Sequence, residues 1–448
     1  MRLADAVTIT RALTPGGLEA FSRHLDPDWI EEALLSTGTA TIRRRRLPAE
    51  QAVWLVIGMA LLRDLPIKDV VARLGLALPD KRGSRGVATS TVMQARARLG
   101  PEPMQWLFAR TAAEWAHASA ARHRFHDLAV YGVDGTTLRV PDSDENRSHF
   151  GGQSAGKGRG ESGYPILRIA ALMALRSHLI VNVDFGPYRA GEQPYAATLW
   201  SQLPDHSLTL VDRGFLQANV LVPLAHSGTD RHWLTRAKST TKWRVLERLG
   251  ANDFLAEMDV SSTARKQDPS LPPTFRVRVT HYQRKGFRPQ TLLSSLLDPE
   301  RFPAGEIRDL YHERWELELA YDEIKTTVLQ RQETIRSKSP ASVAQELFGI
   351  FLAYNLVRLE MQRIADELDL PPTRISFVAA ARDITDAWYA AALIAPDKIP
   401  ALVRDLRDQL RTYVLPPRRP ERLYPRAVKL KMSNYPRKRP PLRRGPAK

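Results

Sequence analysis

The stretch from Tyr311 to Lys325 reads YHERWELELAYDEIK. It carries Tyr311, Arg314, Glu318 and Lys325 in the spacing Y-x2-R-x3-E-x6-K. On one continuous helix, at roughly 100° per residue, these four fall within an arc of about 60°. That face presents a phenol, a guanidinium, a carboxylate and an ammonium. Leu317, Tyr321 and Ile324 form an adjoining stripe able to bury the helix against a sheet. A lone carboxylate flanked by Arg and Lys on a half-buried helix suits phosphate chemistry. The plainer alternative is a surface i,i+4 ion pair between Arg314 and Glu318.

Two further segments shift the balance. Residues 128–140 read LAVYGVDGTTLRV, a strand-like run containing Asp134. Residues 207–215 read SLTLVDRGF, a second apolar run that reaches Asp212. An acid at the end of a Val/Leu-rich strand costs burial energy unless a metal or partner compensates. A strand-ending Asp by itself is usually the start of a turn. Two of them together with Glu318 make a three-carboxylate set, and hard oxygen donors of that kind suit Mg²⁺ or Mn²⁺.

With these residues in place, the chain resembles the DDE transposases of the insertion-sequence-four family. Asp134, Asp212 and Glu318 match the family's catalytic triad, and Tyr311, Arg314, Glu318 and Lys325 match its Y-R-E-K signature. The local texts VDGT, VDRGF, LLSSLLD, LYHERWELE and IRSKSP are also similar. The resemblance implies an α/β fold: a ribonuclease-H-like mixed sheet flanked by helices and interrupted by a β-rich insert. A helical DNA-binding region precedes this core and a helical region follows it.

The same resemblance implies a DNA transposase working by Mg²⁺-dependent cut-and-paste. Two ions per site are held by Asp134, Asp212 and Glu318, with Asp134 shared and Mn²⁺ able to substitute. Water cuts the element end, a hairpin step follows, and the freed 3′-hydroxyl attacks new DNA. Tyr311, Arg314 and Lys325 hold phosphates, and Trp315 stacks on a flipped base. Some relatives carry a second Trp in the insert strand. Gln290 and Thr291 stand there in this chain, and Tyr282, Phe287 and Trp243 are the substitutes to weigh. The partners are double-stranded DNA, both terminal inverted repeats and target, and a second copy of the chain in a synaptic complex. A structure-selective nuclease on the same core and a catalytically silent DNA-binding descendant are the alternatives.

Composition agrees. The 448 residues suffice for two or three domains, and 43% hydrophobic content supports a real core. Zero cysteine excludes disulfides, zinc–thiolate sites and cysteine catalysis. There is no run of 18 apolar residues and no signal-peptide pattern. The expectation is a soluble cytoplasmic, nucleoid-associated protein without membrane contact.

The net charge of +17 points to a polyanion. Residues 413–448 hold twelve Lys/Arg against the single acid Glu421 and supply +11 of it. Arg43, Arg44, Arg45 and Arg46 supply another +4. Both stretches are read as phosphate-backbone contacts whose grip weakens with salt.

The organisation expected is a helical DNA-binding region at 1–122 and a catalytic region at 123–355 with its insert at about 239–300. A helical segment at 356–412, a candidate dimer interface, and a basic Pro-rich tail at 413–448 follow. Within the first region, a short helix, a turn and the segment TVMQARARLG resemble a helix-turn-helix with Gln94, Arg96 and Arg98 facing DNA.

Three decoys fail. Gly151-x4-Gly156-Lys157 imitates a P-loop but continues with Gly158, so no nucleotide cofactor is expected. Asp142-x-Asp144-x-Asn146 lacks the glycine and final Glu of a calcium loop. The eleven histidines show no zinc spacing.

Overall fold

A computed structural model describes residues 25–40, 46–80, 83–84, 86–152, 163–284, 288–331, 334–391 and 394–417. The amino-terminal helices are α1 (Pro27–Ser36), α2 (Ala49–Leu61), α3 (Ile67–Arg73), α4 (Thr89–Leu99) and α5 (Glu102–Arg122). The core follows with β1 (Leu128–Arg139), α6 (Asp144–Phe150), β2 (Ile166–Ala174), β3 (Leu179–Pro187) and α7 (Gln193–Leu199). Next come β4 (Ser207–Val211), α8 (Ala218–His226) and β5 (Arg231–Arg236). The insert holds β6 (Arg244–Gly250), β7 (Asp253–Asp259), α9 (Ser262–Gln267), β8 (Thr274–Tyr282) and β9 (Gln290–Ser294). The chain closes through α10 (Ala304–His312), α11 (Trp315–Asp322), α12 (Pro340–Glu367), α13 (Phe377–Ala391) and α14 (Ile399–Arg411).

The sheet order is β3-β2-β1-β4-β5-β9-β8-β7-β6, and a short strand, Arg124–Phe125, also pairs with β1. β1, β4 and β5 are parallel neighbours, while β1–β2 and β2–β3 are antiparallel. β4, SLTLV, is buried at every position because it is central and covered on both faces. The mixed sheet flanked by helices agrees with the expected fold class. The expected insert adds its strands to the sheet. β9 pairs antiparallel with β5, so the insert strands continue the same sheet outward.

The core centres on α12, which is buried around most of its circumference. Against it lie α2 and α5, and α5 also covers β3, β2 and β1. One hydrophobic core runs from Leu25 to Leu410, so the amino-terminal helices are packed into the catalytic sheet's own interior. Asn355 on α12 bonds both the N–H and the C=O of Ile180 on β3, at 2.9 and 2.8 Å. That satisfies backbone groups beside the bulge between Leu172 and Met173.

The Y-R-E-K stretch departs from the straight helix the spacing implied. α10 ends at His312 and α11 starts at Trp315. Between them, Glu313 N–H donates to Leu310 C=O and Arg314 N–H to Tyr311 C=O, at 2.9 and 3.2 Å. These i→i+3 bonds tighten the turn. Glu323–Val328 then widens into a π-helical segment containing Lys325. The 60° arc therefore does not hold: α, 3₁₀-like, α and π windings succeed each other across these four residues.

Several expectations fall partly outside the described residues: Arg43, Arg44 and Arg45, the glycine-rich 153–162 loop, Phe287, and the tail from 418. Tyr413, counted in the tail, is docked. Its hydroxyl donates to Asp383 at 2.7 Å, and Val414 bridges to Ile375. No helix among the described residues is long and apolar enough to cross a membrane.

Candidate active site

Register brings the two aspartates together. β1 and β4 are parallel with Val133 opposite Val211, so Asp134 and Asp212 follow side by side on strands about 4.8 Å apart. Asp134 lies within β1, and Asp212 is the first residue past β4. Each accepts its successor's N–H: Gly135 to Asp134 at 2.8 Å and Arg213 to Asp212 at 2.6 Å.

α11 carries Glu318 to this edge through two contacts. Leu317 packs on Gly132, where a Cβ would come within 2.9 Å of its methyls, so glycine is what lets the helix approach the strand. Tyr321 donates its hydroxyl to the Asp134 carbonyl at 2.7 Å. Arg314 lies between the acids, 2.7 Å from Glu318 and 3.9 Å from Asp134. The i,i+4 ion pair is thus real, but it is a half-buried part of the acidic edge.

The electrostatics show crowded negative charge. Burial pushes the Asp134 carboxyl up to about 6, the charges of Asp212 and Glu318 add to this, and Arg314 and the Gly135 N–H oppose it. Glu192, just before α7, is also raised by burial and by Asp134. Its carboxylate occupies the space over Gly135, where a Cβ would meet it at 2.1 Å. Arg168 faces it at 3.9 Å. Burial lifts the Tyr311 phenol to about 12, against the pull of Arg314 and Arg236.

The two flanks of the helix are pinned. Arg176, in the β2–β3 turn, holds Glu313 with two bonds of 2.7 and 2.8 Å. Buried His178 contacts Glu316 at 2.8 Å, and Arg358 and Tyr354 of α12 hold Glu323.

The remaining sequence candidates divide. Lys325 is half-buried in the π segment, and Trp315 is 44% exposed. Arg46 is tied to Asp80 at 3.5 Å and to the Gly86 carbonyl. Arg96 contradicts its expectation. It is buried, with bonds to Gln345 and Ser337 at 2.9 Å each, and so points into the protein. Gln94, Arg96 and Arg98, two residues apart, cannot all share one helix face, and the periodicity of α4 turns Arg96 inward. Gln94 and Arg98 are exposed. The helix-turn-helix reading also changes, because fifteen residues, 74–88, separate α3 from α4, where the motif has three or four.

Sequence reading assigned no role to Glu192, and none to Arg236, whose guanidinium reaches Gln290 at 3.3 Å beside Tyr311. It counted Tyr321 only as packing. The TLRV and RGF flanks gave no sign of these contacts, which arise between distant segments.

A family model described as insertion element 4 transposase N-terminal matches residues 15–109, and one described as transposase DDE domain matches residues 126–356. The chain is 38% identical over 421 residues to transposase InsG for insertion sequence element IS4 of Escherichia coli (strain K12). That match covers 94% of this chain and 93% of the relative. The chain belongs to the IS4 family of DDE transposases. Putative transposase InsZ of the same organism is 32% identical over 281 residues, 60% of this chain and 92% of that one. A fainter likeness, TM-score 0.43 at 12% identity over 90% of this chain and 86% of the other, is to the piggyBac transposase synaptic complex with hairpin DNA. It is too faint to bear on fold or function.

This IS4-family transposase is an enzyme acting on DNA, and its DDE domain implies a divalent metal. The donor set fits one by type: three carboxylates at one sheet edge, with Asp134 raised by burial and further by its neighbours' charge. By distance, no three acidic or histidine side chains among the described residues converge on one point. Arg314 already engages Glu318.

Proposed function

We propose that this transposase moves its insertion sequence by Mg²⁺-dependent cut-and-paste, as a homodimer joining the two inverted-repeat ends, with a hairpin step and strand transfer by the 3′-hydroxyl. The observation that carries the reading is the juxtaposition of Asp134 and Asp212 with Glu318 tethered above them through Tyr321.

Asp134, Asp212 and Glu318 would hold the metal, with Asp134 shared. The chemistry supplied by two bound Mg²⁺, replaceable by Mn²⁺, would be acidification of the nucleophile and stabilisation of the leaving oxygen. Arg314 is a forked donor able to grip a non-bridging phosphate oxygen, and Lys325 a point charge for a neighbouring phosphate. An Arg314 engaged on phosphate would free the Glu318 carboxylate from its present ion pair. Tyr311, held protonated to about pH 12, donates a hydrogen bond and never competes as an anion. The exposed Trp315 indole offers a face on which a flipped base can stack.

The test uses purified protein and duplexes carrying the element's ends, in Mg²⁺ or EDTA, beside Glu318→Gln. Metal-dependent hairpin and strand-transfer products, absent from the variant, are expected. Cleavage without strand transfer would make the protein a nuclease. End binding with no cleavage in either protein would reject the catalytic reading.

A further inference from the structure

Alternation along β1 divides its residues between the two faces of the sheet. Gly132 meets Leu317 of α11, and Asp134, two residues on, shares that face. Gly135 has the other face, where a Cβ would collide with the Glu192 carboxylate and with its Cγ at 2.6 Å. The sheet register gives the same division. Thr137 lies on the Gly135 face, opposite Arg168 of β2, and Arg168 stands opposite Gly186 of β3. A Cβ on Gly186 would meet the Tyr195 hydroxyl of α7 at 2.6 Å. Glu318 thus reaches the acidic edge from one side of the sheet, and Glu192 from the other.

Glu192 is held in place by its neighbours. Gln193 donates to the Gly214 carbonyl at 2.9 Å, which ties the start of α7 to the turn that follows Asp212. Tyr195 donates to the Pro187 carbonyl at 3.0 Å and Thr198 to Asp184 at 2.9 Å, fastening α7 to the end of β3. The charge of Glu192 is only loosely countered. The Gly135 N–H that faces it already serves Asp134 at 2.8 Å. Arg168 stands 3.9 Å away, too far for a hydrogen bond. Its guanidinium lies over the Tyr188 ring at 4.5 Å, and its buried Nε has no hydrogen-bond partner among the described residues. Asp134 and Asp212 both act on Glu192 by repulsion, a crowding that a cation relieves. Mg²⁺ keeps several of its waters, and the outer groups that bond such waters tune its affinity.

We propose that Glu192 is a positioning carboxylate of the metal site, acting through water on the cation at Asp134 and Asp212 from the sheet face opposite Glu318. The proposal rests on the metal-dependent reading above and adds a fourth acid to it. It also explains the glycine after Asp134: any side chain at 135 would push the Glu192 carboxylate out of its place. Arg168 then serves as the counter-charge that keeps Glu192 seated while the cation is absent.

The experiment titrates Mn²⁺ into the full chain bound to end duplex and follows the paramagnetic resonance of the free ion. The Asp134→Asn complex is the blank for ions held by DNA. Glu192→Gln is expected to weaken Mn²⁺ about tenfold with end-duplex affinity unchanged, and its cleavage should recover as Mn²⁺ is raised. Arg168→Gln should tighten Mn²⁺, because it removes a positive charge beside the same acids. Gly135→Ala keeps every acid but displaces Glu192, so it should weaken Mn²⁺ as Glu192→Gln does, and the double variant no further. Should Gly135→Ala not fold, the other two variants decide alone. Equal Mn²⁺ affinity in wild type and Glu192→Gln overturns the proposal and leaves the metal-dependent reading standing. Weakening by Arg168→Gln as large as that by Glu192→Gln also overturns it, since the two would then form a structural ion pair. A wild type that holds no more Mn²⁺ than the blank defeats the metal-dependent reading itself, and the proposal with it.

Discussion

Replacing Asp134 by Asn is expected to stabilise the metal-free protein above pH 6, although it should abolish catalysis. The Asp134 side chain is 20% exposed and sits beside two other acids, so its carboxyl rises from 3.8 to about 6. The rise of about two units at about 1.36 kcal/mol each corresponds to about 3 kcal/mol, an upper value given the solvent at its edge. The folded state here binds the proton more tightly than the unfolded chain. The cost of ionised Asp134 is therefore absent below about pH 4, grows between pH 4 and 6, and is complete above. Asn keeps the Gly135 N–H acceptor and carries no charge. Urea unfolding in EDTA should show Asp134→Asn more stable by about 2–3 kcal/mol at pH 8, with the two curves meeting near pH 4. Mg²⁺ should stabilise the wild type and leave the variant unmoved. A variant equally or less stable than wild type at pH 8 would refute the argument that burial, aided by the neighbouring acids, penalises ionised Asp134.

Other outcomes follow from the same contacts. Glu346→Gln leaves Arg63, Arg96 and Arg336 around a neutral group and should cost about 3–5 kcal/mol in denaturant unfolding. Tyr321→Phe removes the bond to the Asp134 carbonyl. It should slow end cleavage about tenfold with end affinity unchanged, since only the alignment of Glu318 is lost; a pure loss of affinity would contradict this. Deleting 418–448 removes net +11. It should weaken DNA binding at moderate salt and flatten the plot of log affinity against log salt, and an unaltered slope would reject the tail as a phosphate contact.

The sequence by itself carried the chemistry and the class of fold. Acids following Val/Leu-rich runs picked out Asp212, just past β4, and Asp134, which lies inside β1, and the Y-R-E-K spacing picked out the segment that the proposed reading makes catalytic. Net charge named a polyanionic partner without locating the surface that meets it. Only the tertiary structure decided which helical windings present those four residues, since the turn at Glu313–Arg314 and the π segment are imposed by packing on Gly132, Arg176 and Arg358. It also turned Arg96 from a DNA contact into a clasp, because a guanidinium's direction depends on which face of α4 meets α12. Glu192 acquires its place over Gly135 in the same way, through a contact between segments far apart in the chain. Spacing records what one segment can present. Whether that side faces solvent or another segment is settled by burial, and burial belongs to the whole chain.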